Sequence, residues 1–216
     1  MKMFKLRERV QSLGEEIANS VSHGVGALAA IVAAAILINS AAQRGQVLEI
    51  VGASVFATTM VLVYLASTLY HALAKSRAKR VFRILDHGAI YLMIAGTYTP
   101  FTLGVLRGAW GWTLLAIVWS LAIVGVVFAA VSRVRHPTLS TLIYLGMGWL
   151  FVVGVKPLWA NMAPWGLFWL AAGGIAYTVG IVFFAADRLR YGHFVWHLFV
   201  MTGTACNYIA VLLYAA

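Results

Sequence analysis

Three histidines and one aspartate stand out in this chain because each lies near the end of a long apolar run and beside a basic loop. They are His71, Asp86, His193 and His197. Ionisable side chains inside a membrane are energetically costly and usually mark a functional site. Histidine nitrogens and carboxylate oxygens are also common zinc ligands in proteins. The four residues therefore indicate a metal site, with zinc as the metal, provided that the fold brings them together.

The composition determines which kind of fold must position these residues. Of the 216 residues, 62% are hydrophobic and only 10% are charged, which is far outside the range of soluble globular proteins. About 20 apolar residues can cross a hydrocarbon core of roughly 30 Å. Seven such runs can be recognised: Ala18–Asn39, Val47–His71, Leu85–Val105, Trp112–Val131, Leu139–Val155, Trp165–Ala186 and His193–Tyr214.

The apolar runs predict helices rather than a β-barrel, because they are continuously apolar and lack the alternating pattern of barrel strands. We therefore predict an all-α polytopic membrane protein, a seven-transmembrane-helix bundle. Residues 1–17 are assigned to a cytoplasmic N-terminal segment and residues 18–216 to a single transmembrane domain. Within the first segment, Phe4, Leu6 and Val10 alternate with basic residues, which suits either a surface helix or a disordered lead.

Lysine and arginine are distributed very unevenly between the two sides of this predicted bundle. Thirteen of the sixteen fall in the N-terminal segment and in the loops after the second, fourth and sixth runs. The other three are Arg44, Arg107 and Lys156. By the positive-inside rule, the N-terminus lies in the cytoplasm and the C-terminus outside. Only an odd number of spans keeps this alternation, so the charges support seven helices, and the net charge of +10 needs no nucleic-acid partner.

This topology brings the candidate ligands to one depth, just inside the cytoplasmic leaflet. His193 and His197 are four residues apart, so they share one helix face, as zinc-binding pairs often do. His71 ends the second run and Asp86 begins the third, so all four meet if the second, third and seventh helices pack together. Ser67 lies one turn before His71, where its hydroxyl can orient a ligand.

The remaining histidines leave alternatives open. One alternative is a set of interfacial histidines that never meet, each bonded to backbone or water. His23 begins the first run at a comparable depth and is either a further ligand or a nearby polar residue. His87 points about 100° away from Asp86 on a helix and is predicted to be interfacial. His136 is predicted to lie in a loop.

The other acidic residues and the single cysteine narrow the choice of ligands. Asp86 is the only carboxylate expected at this depth in an apolar run, and the others are assigned to terminal or interfacial positions. These others are Glu8, Glu15, Glu16, Glu49 and Asp187. Cys206 is the only cysteine, which excludes an intramolecular disulfide and a multi-cysteine metal site.

Several of these segments resemble the haemolysin III family. The matching residues are Ser67-Thr-Leu-Tyr-His71, Asp86-His87-Gly88, Gly96-Thr97-Tyr98-Thr99-Pro100, His193-Phe-Val-Trp-His197 and Glu15-Glu16-Ile-Ala-Asn19-Ser-Val-Ser-His23-Gly24. The resemblance covers about residues 15–214 and extends to a superfamily with the progestin and adiponectin receptors and the alkaline ceramidases. It implies a bacterial inner-membrane protein with zinc held by His71, His193 and His197. It further implies that Asp86 contacts a zinc-bound water, with Ser67 alongside.

Residues and resemblance together predict a function at the membrane. Three histidine ligands leave an open position, as catalytic zinc sites do, which favours hydrolysis of a lipid amide or ester with Asp86 as general base. The expected partners are membrane lipids and a lipid-like substrate or ligand. A non-enzymatic regulator of membrane lipid state with a structural zinc is the alternative, and a lytic or pore-forming protein ranks below both. Neither the particular lipid nor the oligomeric state follows from the sequence.

Overall fold

The protein is a bundle of helices. The computed structural model describes residues 10–186 and 188–215, and these ranges contain no strand. The α-helices are α1 (Leu13–Arg44), α2 (Val47–Ala72), α3 (Arg77–Pro100), α4 (Gly108–Ser132), α5 (Pro137–Gly148), α6 (Val155–Asn161), α7 (Pro164–Ala185) and α8 (Gly192–Tyr214). A π-helix, Phe101–Leu106, extends α3, and a 3₁₀-helix, Trp149–Val152, follows α5. The predicted all-α fold class is confirmed.

Helix α1 begins earlier than the apolar pattern predicts, because a capping box determines its start. The Ser12 side chain accepts a hydrogen bond from the Glu15 backbone N–H, and the Glu15 carboxylate accepts one from the Ser12 backbone N–H. This reciprocal pair satisfies two of the backbone N–H groups at a helix start. The helix therefore begins at Leu13 rather than at the predicted Ala18, and Glu16 lies in its first turn. Residues 1–9, including the predicted amphipathic positions Phe4 and Leu6, lie outside the described residues.

The membrane spans agree with the predicted number, although one of them is broken. Among the described residues, six helices are long and apolar enough to cross a membrane, and a bent pair, Pro137–Val152 with Val155–Asn161, makes seven if it forms one span. The bend is 51°. At the break, the Tyr98 hydroxyl donates to the Met147 carbonyl and accepts from the Phe151 N–H. A side chain of α3 thus replaces backbone hydrogen bonds that a continuous helix would make, as buried breaks in membrane helices require.

The outward surface of the bundle is apolar, as a lipid environment demands. Val131 is 79% exposed and Leu28 is 69% exposed. Four tryptophans are also exposed: Trp110, Trp112, Trp159 and Trp165. Aromatic side chains of this kind are enriched at membrane–water interfaces. The chain is therefore an integral membrane protein, and the cytoplasmic placement of its N-terminus stays a prediction.

The order of helix contacts brings distant parts of the chain together. Helix α1 packs against both α2 and α8, and further contacts join α2 to α3, α3 to α5, α5 to α7 and α7 to α8, which closes a ring. Helix α4 packs against α3 and α5. Small residues allow the closest approaches: a Cβ at Gly96 would overlap Thr59, and one at Gly125 would overlap Tyr91, in keeping with the use of glycine at membrane helix interfaces.

Two features of this ring position the candidate site. The first is the end at which α1, α3 and α8 begin and α2 ends, which we call the histidine end. The second is a cavity of about 150 Å³ lined mainly by apolar side chains of α3, α5, α7 and α8, which we call the central cavity. The candidate site lies at the histidine end.

Candidate metal centre

Three histidines meet at the histidine end. His71 lies in the last turn of α2, and His193 and His197 lie in the first two turns of α8. One ligand atom from each lies within 4.8 Å of the other two. The ring centroids of His71 are 5.1 Å from those of both His193 and His197, and the latter two are 4.7 Å apart. The prediction that these histidines come together is confirmed, because α1 holds α2 and α8 side by side.

The hydrogen bonds around the cluster indicate which ring nitrogens are already engaged by protein groups. His71 Nδ1 lies 2.7 Å from Glu16 Oε2, and His197 Nδ1 lies 3.2 Å from Ser22 Oγ. His71 Nε2 is buried and has no hydrogen-bond partner among the described residues. A buried polar atom without a partner is costly, whereas metal-bound histidines commonly donate the other ring N–H to a carboxylate or carbonyl. The residues therefore fit a metal ion bound through the Nε2 side.

Ser67 and Asp86 are both buried within the bundle. Ser67 is 1% exposed and lies one turn before His71 on α2, as predicted. Asp86 is 9% exposed, but it does not begin its helix as predicted, because α3 starts at Arg77, where Ser76 caps it. The predicted roles of Ser67 and Asp86 toward a zinc-bound water stay predictions.

The carboxylates of α1 require a correction. The sequence assigned Glu15 and Glu16 to terminal or interfacial positions and left Asp86 as the only carboxylate at this depth. Glu15 is instead 3% exposed and accepts from the Tyr191 N–H, and Glu16 contacts His71. The reason is the earlier start of α1, which carries both side chains into the bundle.

The sequence contains a pattern that indicates a buried polar face on α1. The buried positions of α1 include Glu15, Asn19, Ser22, His23 and Gly26. Their steps of four, three, one and three residues follow the helical repeat, so the polar face of the first helix can be traced once its start is placed at Ser12.

The three other histidines differ from one another. His23 is 4% exposed; its ring stacks on that of His197 at 3.5 Å and lies edge-on to Tyr64. It is therefore a neighbour of the cluster rather than one of its three ligands. His87 is 8% exposed, so its predicted interfacial position is wrong: α3 is packed between other helices. His136 is exposed just before α5, which confirms its predicted loop position.

The central cavity ends at two aromatic side chains near the histidine cluster. Phe184 and Trp196 line the cavity. The Phe184 ring lies 5.8 Å from that of His193 and 5.6 Å from that of Trp196. The apolar space thus ends at an aromatic wall that neighbours His193, and the three histidines are not among its lining residues.

Comparison with known proteins agrees with this arrangement. Residues 11–208 match the family model described as Haemolysin-III related. The chain belongs to this family. It is 47% identical over 210 residues to Hemolysin-3 of Bacillus cereus, covering 97% of this chain and 96% of that protein. It is 46% identical over 203 residues to a Hemolysin-3 homolog of Bacillus subtilis (strain 168), covering 94% and 95%.

A more distant relative is human. The monocyte to macrophage differentiation factor of Homo sapiens is 29% identical over 210 residues, covering 93% of this chain and 84% of that protein. No solved structure matches the chain. The family predicted from the motifs is confirmed, and the bacterial relatives together with the apolar helices place this haemolysin-III-related protein in a bacterial plasma membrane.

Proposed function

We propose that this haemolysin-III-related protein is a zinc-dependent hydrolase of a lipid amide or ester. One observation carries the proposal: three histidines with ligand atoms within 4.8 Å of one another lie next to the aromatic wall of an apolar cavity inside a membrane bundle. Three protein ligands leave one position open, which is the arrangement of catalytic rather than structural zinc sites.

The chemistry follows from the residues at this end. His71, His193 and His197 would hold the zinc, which would supply Lewis-acid activation of water for attack near neutral pH. Asp86 acts as the general base that takes the proton of the attacking water, and later delivers it to the leaving amine or alcohol. Ser67 donates its hydroxyl hydrogen to orient that carboxylate or the substrate carbonyl.

The central cavity supports a substrate with a long apolar chain. Along α8 the cavity lining extends from Trp196 to Asn207, which is about 16 Å at 1.5 Å per residue. An acyl chain in this space would bring its carbonyl carbon to the histidine end, where His193 lies. The basic loops predicted on that side place the reaction at the level of cytoplasmic lipid headgroups.

The test combines metal analysis with product formation. The protein is purified in detergent without chelators, and its zinc content is measured beside its activity on ceramides and phospholipids of defined chain length. We expect about one zinc per chain and fatty acid release that stops with a chelator and returns with added zinc. The His136→Ala variant, which changes an exposed histidine beside the same loops, should behave like the wild type. A zinc content near zero would contradict the metal site, and release that persists in chelator would contradict the chemistry.

A second function has one observation in its favour. The candidate ligands join the last turn of α2 to the first turn of α8, so a bound metal would cross-link the bundle. A non-enzymatic regulator of membrane lipid state with structural zinc would use only this cross-link. Zinc-loaded protein that releases no fatty acid from any of these lipids, yet loses thermal stability in chelator, would favour the regulator.

A further inference from the structure

A chain of three charged or polar side chains leads from the surface to the histidine cluster. Lys79 Nζ donates to Glu16 Oε1 at 2.9 Å, and Glu16 Oε2 accepts from His71 Nδ1 at 2.7 Å. Lys79 and Glu16 are partly accessible, at 15% and 23% exposed, whereas His71 is 1% exposed. Charge-assisted hydrogen bonds of this length are among the stronger ones in proteins.

The contact with Glu16 determines the tautomer and the orientation of the His71 ring. An ionised carboxylate only accepts, so in a neutral His71 ring Nδ1 carries the hydrogen and Nε2 keeps its lone pair. Nε2 is the buried atom that lacks a partner among the described residues. Without Glu16, the Nδ1–H would be buried without its partner, which is unfavourable, and the ring would lose the bond that sets its orientation and tautomer.

Lys79 holds the carboxylate in turn. Its ammonium group also donates to the Tyr70 carbonyl at 3.0 Å and lies 4.8 Å above the Tyr70 ring. Lys79 is in the first turn of α3 and Glu16 in the first turn of α1. Side chains of both helices therefore fix the position of His71 on α2. The N-terminal end of the α1 dipole further favours the negative charge of Glu16.

A second contact of α1 orients a second histidine. Ser22 Oγ donates its hydrogen to the Asn19 carbonyl at 2.9 Å. Its lone pairs are therefore left to accept from His197 Nδ1, which lies 3.2 Å away. His197 then has its hydrogen on Nδ1 and its lone pair on Nε2, as His71 does.

We propose that helix α1, which contributes none of the three ligands, orients two of them: Glu16, held by Lys79, positions His71, and Ser22 positions His197. The inference rests on the proposed metal site and assigns positioning residues that the motif of histidines, aspartate and Ser67 leaves out. Residues of this kind typically change metal affinity by about 10–100-fold when they are replaced.

The decisive variants concern Glu16 and Lys79. Glu16→Gln keeps the size of the side chain, but its amide oxygen can accept from only one of the two donors, and its amide nitrogen then faces the other. We expect zinc affinity, measured by competition with a chromophoric chelator, to fall about 10-fold. Lys79→Met removes the competing donor, so the Glu16→Gln/Lys79→Met double variant should recover affinity relative to Glu16→Gln alone. If Glu16 and Lys79 only stabilised the fold, the double variant would bind zinc more weakly than Glu16→Gln alone, because the two defects would add.

Matched controls are available on the same helices. Glu49→Gln breaks an ion pair with Arg107 at the other end of the bundle, and its zinc affinity should stay within about twofold of the wild type. Ser22→Ala should weaken zinc binding about 10-fold. Ser20→Ala, which removes a hydroxyl bonded to the Thr68 carbonyl, should not.

A measurement without metal separates this inference from the proposed function. In zinc-free protein with ¹⁵N-labelled histidine, the His71 signal, assigned with His71→Ala, should report a hydrogen on Nδ1 in the wild type and a mixture of tautomers in Glu16→Gln. Wild-type protein that binds no zinc would contradict the proposed function but leave this result standing. Zinc affinity and tautomer unchanged in Glu16→Gln, or an equal loss in Glu49→Gln, would overturn the inference.

Discussion

The two ends of the bundle contain similar charged groups and use them in opposite ways. At the histidine end, Glu16 and Lys79 enclose His71, which is 1% exposed. At the other end, Glu49 pairs with Arg107 at 3.0 Å, but the Arg107 side chain is 61% exposed. A carboxylate and a cation lie near a helix end in both places, so composition does not distinguish them.

The difference lies in the direction that the polar groups face. Glu49 is 16% exposed, so the contrast lies in its partner: Arg107 reaches solvent. An ion pair of this kind contributes about 0–1 kcal/mol, and Glu49→Gln leaves only an exposed arginine behind. Polar groups that face inward in a membrane bundle are costly unless something inside uses them. The histidine cluster contains a buried His71 Nε2 without a hydrogen-bond partner among the described residues, which supports the proposal that this end of the bundle is the functional one.

The largest expected effect at the histidine end is on activity. Asp86→Asn should keep most of the zinc, because the three histidines remain, but it should lower lipid hydrolysis by about 10²–10⁴-fold through loss of the general base. Zinc content and fatty acid release are measured on the same preparation. Zinc lost as completely as in His197→Ala would make Asp86 a ligand, and hydrolysis at the wild-type rate would remove its catalytic role.

The next largest effect is on metal affinity. His71→Ala should weaken zinc binding by about 10²–10³-fold, because one of three ligands carries roughly a third of a binding free energy of about 10 kcal/mol or more. His136→Ala, at an exposed position in the loop before α5, is the control and should bind normally. Equal zinc content in the two variants would show that the metal lies elsewhere.

Removal of the metal should have a somewhat smaller effect, on stability. With free zinc at about 100 times its dissociation constant, binding stabilises the folded state by about 2.7 kcal/mol, so chelation should lower the thermal unfolding midpoint in detergent. The effect should vanish in His71→Ala. A chelator-induced shift of the same size in that variant would mean that the reagent acts on the fold by another route.

The smallest effect belongs to the opposite end. Glu49→Gln should change the free energy of unfolding by about 0–1 kcal/mol and leave hydrolysis unaltered, as judged by thermal unfolding and fatty acid release. Loss of activity in this variant would remove the contrast between the two ends.

Much of the fold and the three candidate ligands followed from the sequence, because both depend on long-range regularities. The length of the apolar runs predicts the membrane spans, and the alternation of basic loops predicts which helix ends lie on the same side of the membrane. The four-residue spacing of His193 and His197 predicts that both lie on one face of their helix. These arguments need no side-chain detail. These arguments predicted that His71 lies at the same depth as His193 and His197, although more than a hundred residues separate it from them in the chain.

The parts that were missed depend on local hydrogen bonds. Ser12 and Glu15 determine where α1 starts, and an apolar count that begins at Ala18 ignores the capping box and excludes Glu16 from the bundle. The bend after α5 was likewise invisible, since a straight and a broken helix have the same composition. The bend is supported by Tyr98, which lies about fifty residues away in the chain.

The separation of the candidate ligands along the chain also orders events during biosynthesis. His71 and Glu16 belong to the first two helices to be inserted, whereas His193 follows 122 residues later, in the last one. A ribosome that adds roughly 5–20 residues per second needs about 6–24 s to cover that distance. During this interval, α1 and α2 provide only one of the three candidate ligands, His71. At the proposed site, metal binding by three histidines therefore requires α8, and a nascent chain truncated before Gly192 would lack two of the three.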